Sequence, residues 1–142
     1  MNSLNLNEAR TALDAALDHG VSKGAKPLAV VVLDAGGHPV AFARQDGASL
    51  FRFDIARAKA LGAIGMGADT RTLAGRANDN PVFFQSVSAA VGGAIAFSPG
   101  GVLIHGEGGE IRGAIGISGD TGDCDEACAL AGVAAIATSQ EA

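Results

Sequence analysis

The stretch GGEIRGAIGISGDTGDCDEACALAG, residues 108–132, reads as a β-strand studded with glycines, a short acidic loop and then a helix. Strand, glycine loop and helix in that order are a common way to hold a phosphate. The details here exclude one. Gly113, Gly116, Gly119 and Gly122 recur every third residue, whereas a dinucleotide fingerprint needs G-x-G-x-x-G at the first turn of a βαβ unit. No Gly-Lys-Ser/Thr follows, so a P-loop is excluded as well. Asp120, Asp123, Asp125 and Glu126 crowd the start of the helix, where they complement its positive end and repel a phosphate. Nor does DTGDCDE have the spacing of a calcium loop.

The same strand closes a meander. GGAIAFSPGGVLIHGEGGEIRGAIGISG carries three short strands, at 94–97, 102–105 and 110–118, separated by glycine turns. Upstream, KPLAVVVLD (26–34) is apolar too continuously for a half-exposed strand, which places it centrally. AGGH (35–38) turns it back into PVAFARQ (39–45), a hairpin. Helices fill the rest. Asn5 and Glu8 make a capping box before an amphipathic helix that runs to about Ser22. A second helix spans about Leu50 to Gly65, and Asp69 or Thr70 caps a short third. NDNP (78–81) restarts a fourth with Pro81 in its first turn, and the last runs from about Gly122 to Thr138. No period repeats and no linker divides the chain. The order predicts one α+β domain over residues 1–142, a five-stranded antiparallel sheet flanked by helices.

Composition bounds the function. The 142 residues are 48% hydrophobic and 18% charged, enough for one packed core. A formal charge of −5 without a run of Lys or Arg argues against nucleic acid and anionic membranes as partners. Residues 1–12 include Glu8 and Arg10 and lack the apolar run of a signal peptide. The apolar stretches elsewhere fall short of a membrane span, so a cytoplasmic protein is expected. Cys124 and Cys128 stand four apart on one helical face, poor geometry for a disulfide, and read as free thiols.

Two cations fall where apolar neighbours are expected. Strand alternation puts Val40, Phe42 and Arg44 on one face, read as the core face, so that a guanidinium ends a buried row. It needs a pair, for which Asp46 stands near, or an anion. Lys59 has Ile55, Ala56, Gly62 and Ala63 at three and four residues, so it either snorkels to an edge or sits in a pocket with a perturbed pKa. If the two converge they form an anion site. Ser118, His105 and Asp125 suggest a triad only by type, for no nucleophile elbow surrounds Ser118.

AVVVLDAGGHPVAFARQDGAS, ARAKA, PGGVLI and GEIRGAIGISGDTGDCDEACALAG, taken together in order and spacing, resemble the GlcG/HbpS family, which includes the C-terminal domain of PduO-type corrinoid adenosyltransferases. Leu103 departs from the proline usual after the glycine pair, and the 50–65 helix has no E-x-x-E iron motif. The resemblance implies a profilin-like domain that assembles into a homo-oligomer, tetramer to octamer, and binds haem or a related tetrapyrrole. It leaves open a cofactor-free lyase, hydratase or isomerase acting on a small carboxylic acid. Haem takes an axial His, Met, Cys or Tyr. Tyr is absent and Met1 is terminal, which leaves His19, His38, His105, Met66 and the thiols. His19 is favoured because family haem sites lie near the first helix and at subunit contacts. His105 is the further candidate, and Arg44 or Lys59 would meet the propionates.

Overall fold

A computed structural model describes residues 3–141, with side chains through residue 137; Met1 lies outside it. Five helices and four strands follow one another as α1 (Leu6–Ser22), β1 (Ala29–Asp34), β2 (Pro39–Arg44), α2 (Arg52–Met66), α3 (Thr70–Asp79), α4 (Pro81–Ala90), β3 (Gly101–His105), β4 (Ile111–Ser118) and α5 (Gly122–Glu141). The strands form one antiparallel sheet in the order β2-β1-β4-β3. Its centre is β1, whose Ala29 through Leu33 are fully buried, as the unbroken apolar run requires. Helices α1 and α5 cover one face over Val30, Val32, Val102, Ile104, Ile115 and Ile117. Helix α2 covers the other over Ala29, Val31, Leu33, Leu103 and Ala114.

The capping box forms. Asn5 Oδ1 accepts from Glu8 N at 2.8 Å and Glu8 Oε1 accepts from Asn5 N at 3.2 Å. The Glu8 carboxylate then takes both arms of Arg112, at 2.7 and 2.9 Å. Arg112 is the extra residue of a bulge in β4, where His105 pairs with Ile111 and Ile104 with Gly113. Its carbonyl accepts from Leu4 N at 3.0 Å. The start of α1 is thereby tied to the sheet.

The sheet has four strands, not five. Residues 94–97 join no strand ladder, because the outer edge of β3 is already occupied. Gly101 N donates to Thr70 Oγ1 and Leu103 N to Asp69 Oδ1, both at 2.8 Å. With those N–H groups satisfied, no ladder remains for a fifth strand. Ile95 packs against Gly62 of α2 and Phe97 stacks edge-on against Phe84 of α4, with ring centroids 5.3 Å apart.

The expected core face of β2 is also corrected. Val32 pairs with Ala41 but Leu33 pairs with Pro39, so Val40 is a bulge and loses phase with Phe42 and Arg44. Val40, Ala41 and Ala43 pack toward α1, while Phe42 and Arg44 emerge on the α2 side. There β2 is an edge strand that α2 does not fully cover. Phe42 is 56% exposed, and Arg44 is exposed rather than buried.

Candidate functional site

The polar side chains of interest collect at one end of the sheet, where β1 and β3 begin and β2 and β4 finish. α1 delivers His19 there. The next residue, Gly20, lies against Leu28 at the entry to β1, and Leu28 N and O both bond Gln45 just past β2. The connection into α5 closes the same end. Asp120 Oδ2 accepts from Lys26 N at 2.8 Å, and the N–H groups of Lys26 and Thr121 hold this carboxyl below its usual range.

Lys59 is 2% exposed, and its Nζ donates to Ile117 O at 2.8 Å and to Asp125 Oδ2 at 3.1 Å. Asp125, 1% exposed, also accepts from Asp120 N through its other oxygen at 3.0 Å. The pair joins the two layers, for Lys59 comes from α2 and Asp125 from the first turn of α5. It passes between the strand ends because residue 100 is glycine. Gly100 has φ +128°, and a Cβ there would sit 2.9 Å from Lys59 Nζ and 2.8 Å from Ile117 O. Burial pushes Lys59 down from its ordinary value and Asp125 up, each against the pull of its partner. The lysine therefore neither snorkels to an edge nor waits for an anion.

Beside it, Arg52 in the first turn of α2 donates from Nη1 to the buried Ser118 Oγ at 3.1 Å. Arg44 donates from Nη1 to Ala48 O at 2.7 Å and makes no bond to Asp46. Arg44 and Ser118 both pair with Ala29, from opposite sides, so the three form one row across the sheet. The cation on the far side of this row from Arg44 is thus Arg52, bonded to Ser118, which sequence reading missed. Only the register of three strands reveals it; in sequence Arg52 is an ordinary helix-start residue.

The histidines separate cleanly. His19 is half-buried, and its ring makes no hydrogen bond among the described residues. His38 lies in the β1–β2 turn at the opposite end, its side chain 79% exposed and Nδ1 3.2 Å from Asp34 Oδ1. His105 ends β3 at that far end, exposed, with Nδ1 3.2 Å from Gly109 O. Ser118 is seven residues along β4 from the partner of His105, about 23 Å, so Ser118, His105 and Asp125 form no triad. Met66 lines an apolar cleft of about 290 Å³ with Val87, Val91 and Ile95, away from the arginine row. Both cysteines are free, and burial pushes the Cys128 thiol up to about 12. Among the described residues no three His, Cys, Asp or Glu side chains gather into a metal site, and no helix is long and apolar enough to cross a membrane.

A four-stranded antiparallel sheet between helical layers, with Arg44, Arg52 and Lys59 at one end, defines a small α+β domain. The chain belongs to the HbpS-like haem-related family: the family model described as "Haem degrading protein HbpS-like" matches residues 4–134. A crystal structure of a doubly substituted HbpS from Streptomyces reticuli is 30% identical, with a TM-score of 0.79 over 94% of this chain and 87% of that one. The fold recurs in a PduOC–haem complex at 24% identity and TM-score 0.84, covering 94% of each chain. It recurs again in Klebsiella pneumoniae protein ORFY at 20% identity and TM-score 0.86, covering 96% of this chain and 92% of that one. Among curated proteins, no sequence matches.

Proposed function

We propose that this protein binds haem, with His19 as axial ligand, at the sheet end described above. One observation carries the choice of residue. Of the three histidines, His19 alone lies at the end that holds Arg44, Arg52 and Lys59, and its ring is uncommitted among the described residues. The donor set fits the group: an imidazole for the iron, guanidinium groups for carboxylates and exposed phenylalanines for an apolar ring. The family description and the PduOC–haem complex support the same reading. Bound haem supplies the redox and ligand chemistry of its iron. The chain's part is to hold that iron, neutralise the propionates and cover the ring. With no Trp or Tyr and six Phe, it offers little stacking surface, and modest affinity follows.

Haem titration followed at the Soret band tests this. A saturable shift is expected that His19→Ala abolishes, while His38→Ala and His105→Ala leave it in place. Loss with His105→Ala alone would move the ligand to the far end of the sheet. No shift in folded wild-type protein would overturn the haem reading. The lyase, hydratase or isomerase alternative would have Arg44 hold the carboxylate and Lys59 or a histidine move the proton, and it draws less support, since Lys59 is buried and committed to Asp125.

The proposal includes assembly into a homo-oligomer of four to eight chains. On α5, Gly132 closes onto the Ala12 carbonyl of its own chain, whereas Ala127 and Leu130 face outward, Leu130 49% exposed. Light scattering at micromolar concentration should return at least four chain masses. A monomer mass would end this part of the reading.

A further inference from the structure

The row that crosses the sheet end is a feature that the choice of iron ligand does not use. Arg44, Ala29 and Ser118 stand side by side on β2, β1 and β4, so the outer two Cα atoms lie roughly 10 Å apart at normal strand spacing. The central residue is only a methyl group and is itself fully buried, with Arg44 on one side of it and Arg52, bonded to Ser118, on the other. Arg44 is anchored to Ala48 O and Arg52 to Ser118 Oγ. A guanidinium has five N–H donors, so each keeps donors to offer. Neither has a carboxylate partner among the described residues, in contrast to Arg71 and Arg112, which are ion-paired. Asp46 and Asp54, the exposed acids nearest in sequence, bond to neither arginine.

An apolar shoulder adjoins the pair. Phe42, two residues before Arg44, meets Phe53 edge-on with ring centroids 4.8 Å apart and remains 56% exposed. Phe51 is 68% exposed and Leu50 77%. Large apolar side chains held in water beside two anchored guanidinium groups match a ligand with a flat apolar body and more than one carboxylate.

We infer that Arg44 and Arg52 form a two-armed carboxylate clamp over Ala29, taking the propionates of a porphyrin whose ring edge rests on Phe42, Phe51 and Leu50. This deepens the haem reading and rests on it for the identity of the ligand. It assigns to Arg52 the role that sequence reading gave to Lys59. Arg52 also places a like charge near Lys59, which adds to the burial that disfavours the ammonium.

The test compares three probes on the intact chain: haem, haem dimethyl ester, and metal-free protoporphyrin IX followed by its fluorescence. Wild-type protein should prefer haem to its ester by tenfold or more. The double variant Arg44→Gln/Arg52→Gln should weaken haem at least tenfold and erase that preference, with the Soret position of the bound form unchanged. Arg57→Gln removes the same charge five residues along α2 and should keep both affinity and preference. A double variant that retains the preference overturns the clamp, as does an equal loss in Arg57→Gln, which would reduce the effect to bulk charge. Protoporphyrin separates the two proposals, because it needs no axial ligand. If haem gives no histidine-dependent shift but protoporphyrin binds through Arg44 and Arg52, the His19 reading falls and the clamp stands. If neither porphyrin binds, the clamp is wrong.

Discussion

Lys59→Ala should lower unfolding stability at pH 7 by about 3–5 kcal/mol, the cost of leaving a buried charge without its partner, and Asp125→Ala should match it. Against a total of about 5–15 kcal/mol for a domain, either change brings the chain near its folding limit. The reason is geometric. Both side chains are at most 2% exposed, and Asp125 would keep only the N–H of Asp120 once the ammonium is gone. The double change Lys59→Met/Asp125→Leu should recover most of the loss, since a packed apolar pair escapes the desolvation that both ions undergo. The pH dependence separates the partners. Asp125 is raised in the fold, so between 3.8 and its folded pKa the folded chain holds the extra proton, and this group's contribution falls as pH rises. Lys59 is lowered, so between its folded pKa and 10.5 the unfolded chain holds the extra proton, and its contribution grows as pH rises. Wild-type stability should therefore climb on the alkaline side by an amount that the double variant lacks. Urea midpoints from pH 5 to 10 read both effects. A Lys59→Ala protein within 1 kcal/mol of wild type would mean that the pair does not join the layers.

What sequence reading could reach depended on how local the cause was. The Asn5–Glu8 cap, the Pro81 restart and the central place of β1 are each written within ten residues, and all are present. The fifth strand failed because its fate was decided elsewhere. Residues 94–97 look like a strand, but Asp69 and Thr70, read as helix caps, spend their side chains on the edge of β3 instead. Arg44 was misplaced by a single residue of bulge at Val40, which no alternation count detects. Lys59 stands out among its apolar neighbours, yet its partner lies 66 positions away and reads in sequence as one of four acids at a helix start or as a triad member by type. The cluster could be suspected from charge among apolar neighbours. Which cation is spent and which is free follows only from strand register.

Gly116→Val should abolish folding, or cost well over the roughly 1–3 kcal/mol typical of an overpacked core. A Cβ at Gly116 would fall 2.0 Å from Ala56 O and 2.8 Å from Ala60 N, far inside van der Waals contact, and both atoms belong to the backbone of α2. Nothing there turns aside as a side chain would, so the helix itself must lift from the sheet. α2 packs through Ala56, Ala60 and Ala63, and these small residues keep it low enough for Lys59 to reach Asp125 and Arg52 to reach Ser118. Gly65 supplies the contrast within the same helix. A Cβ there meets nothing within 4 Å, so Gly65→Ala should be neutral or gain up to about 1 kcal/mol from helix propensity alone. Gly116→Ala, the smaller step, should lose stability and porphyrin affinity together, because lifting α2 withdraws one arm of the clamp while His19 on α1 stays in place. Thermal melts and haem titrations on the three variants decide it. A Gly116→Ala protein that melts like wild type would show that α2 does not seat on β4 as closely as described, and the positions argued for Arg52 and Lys59 would go with it.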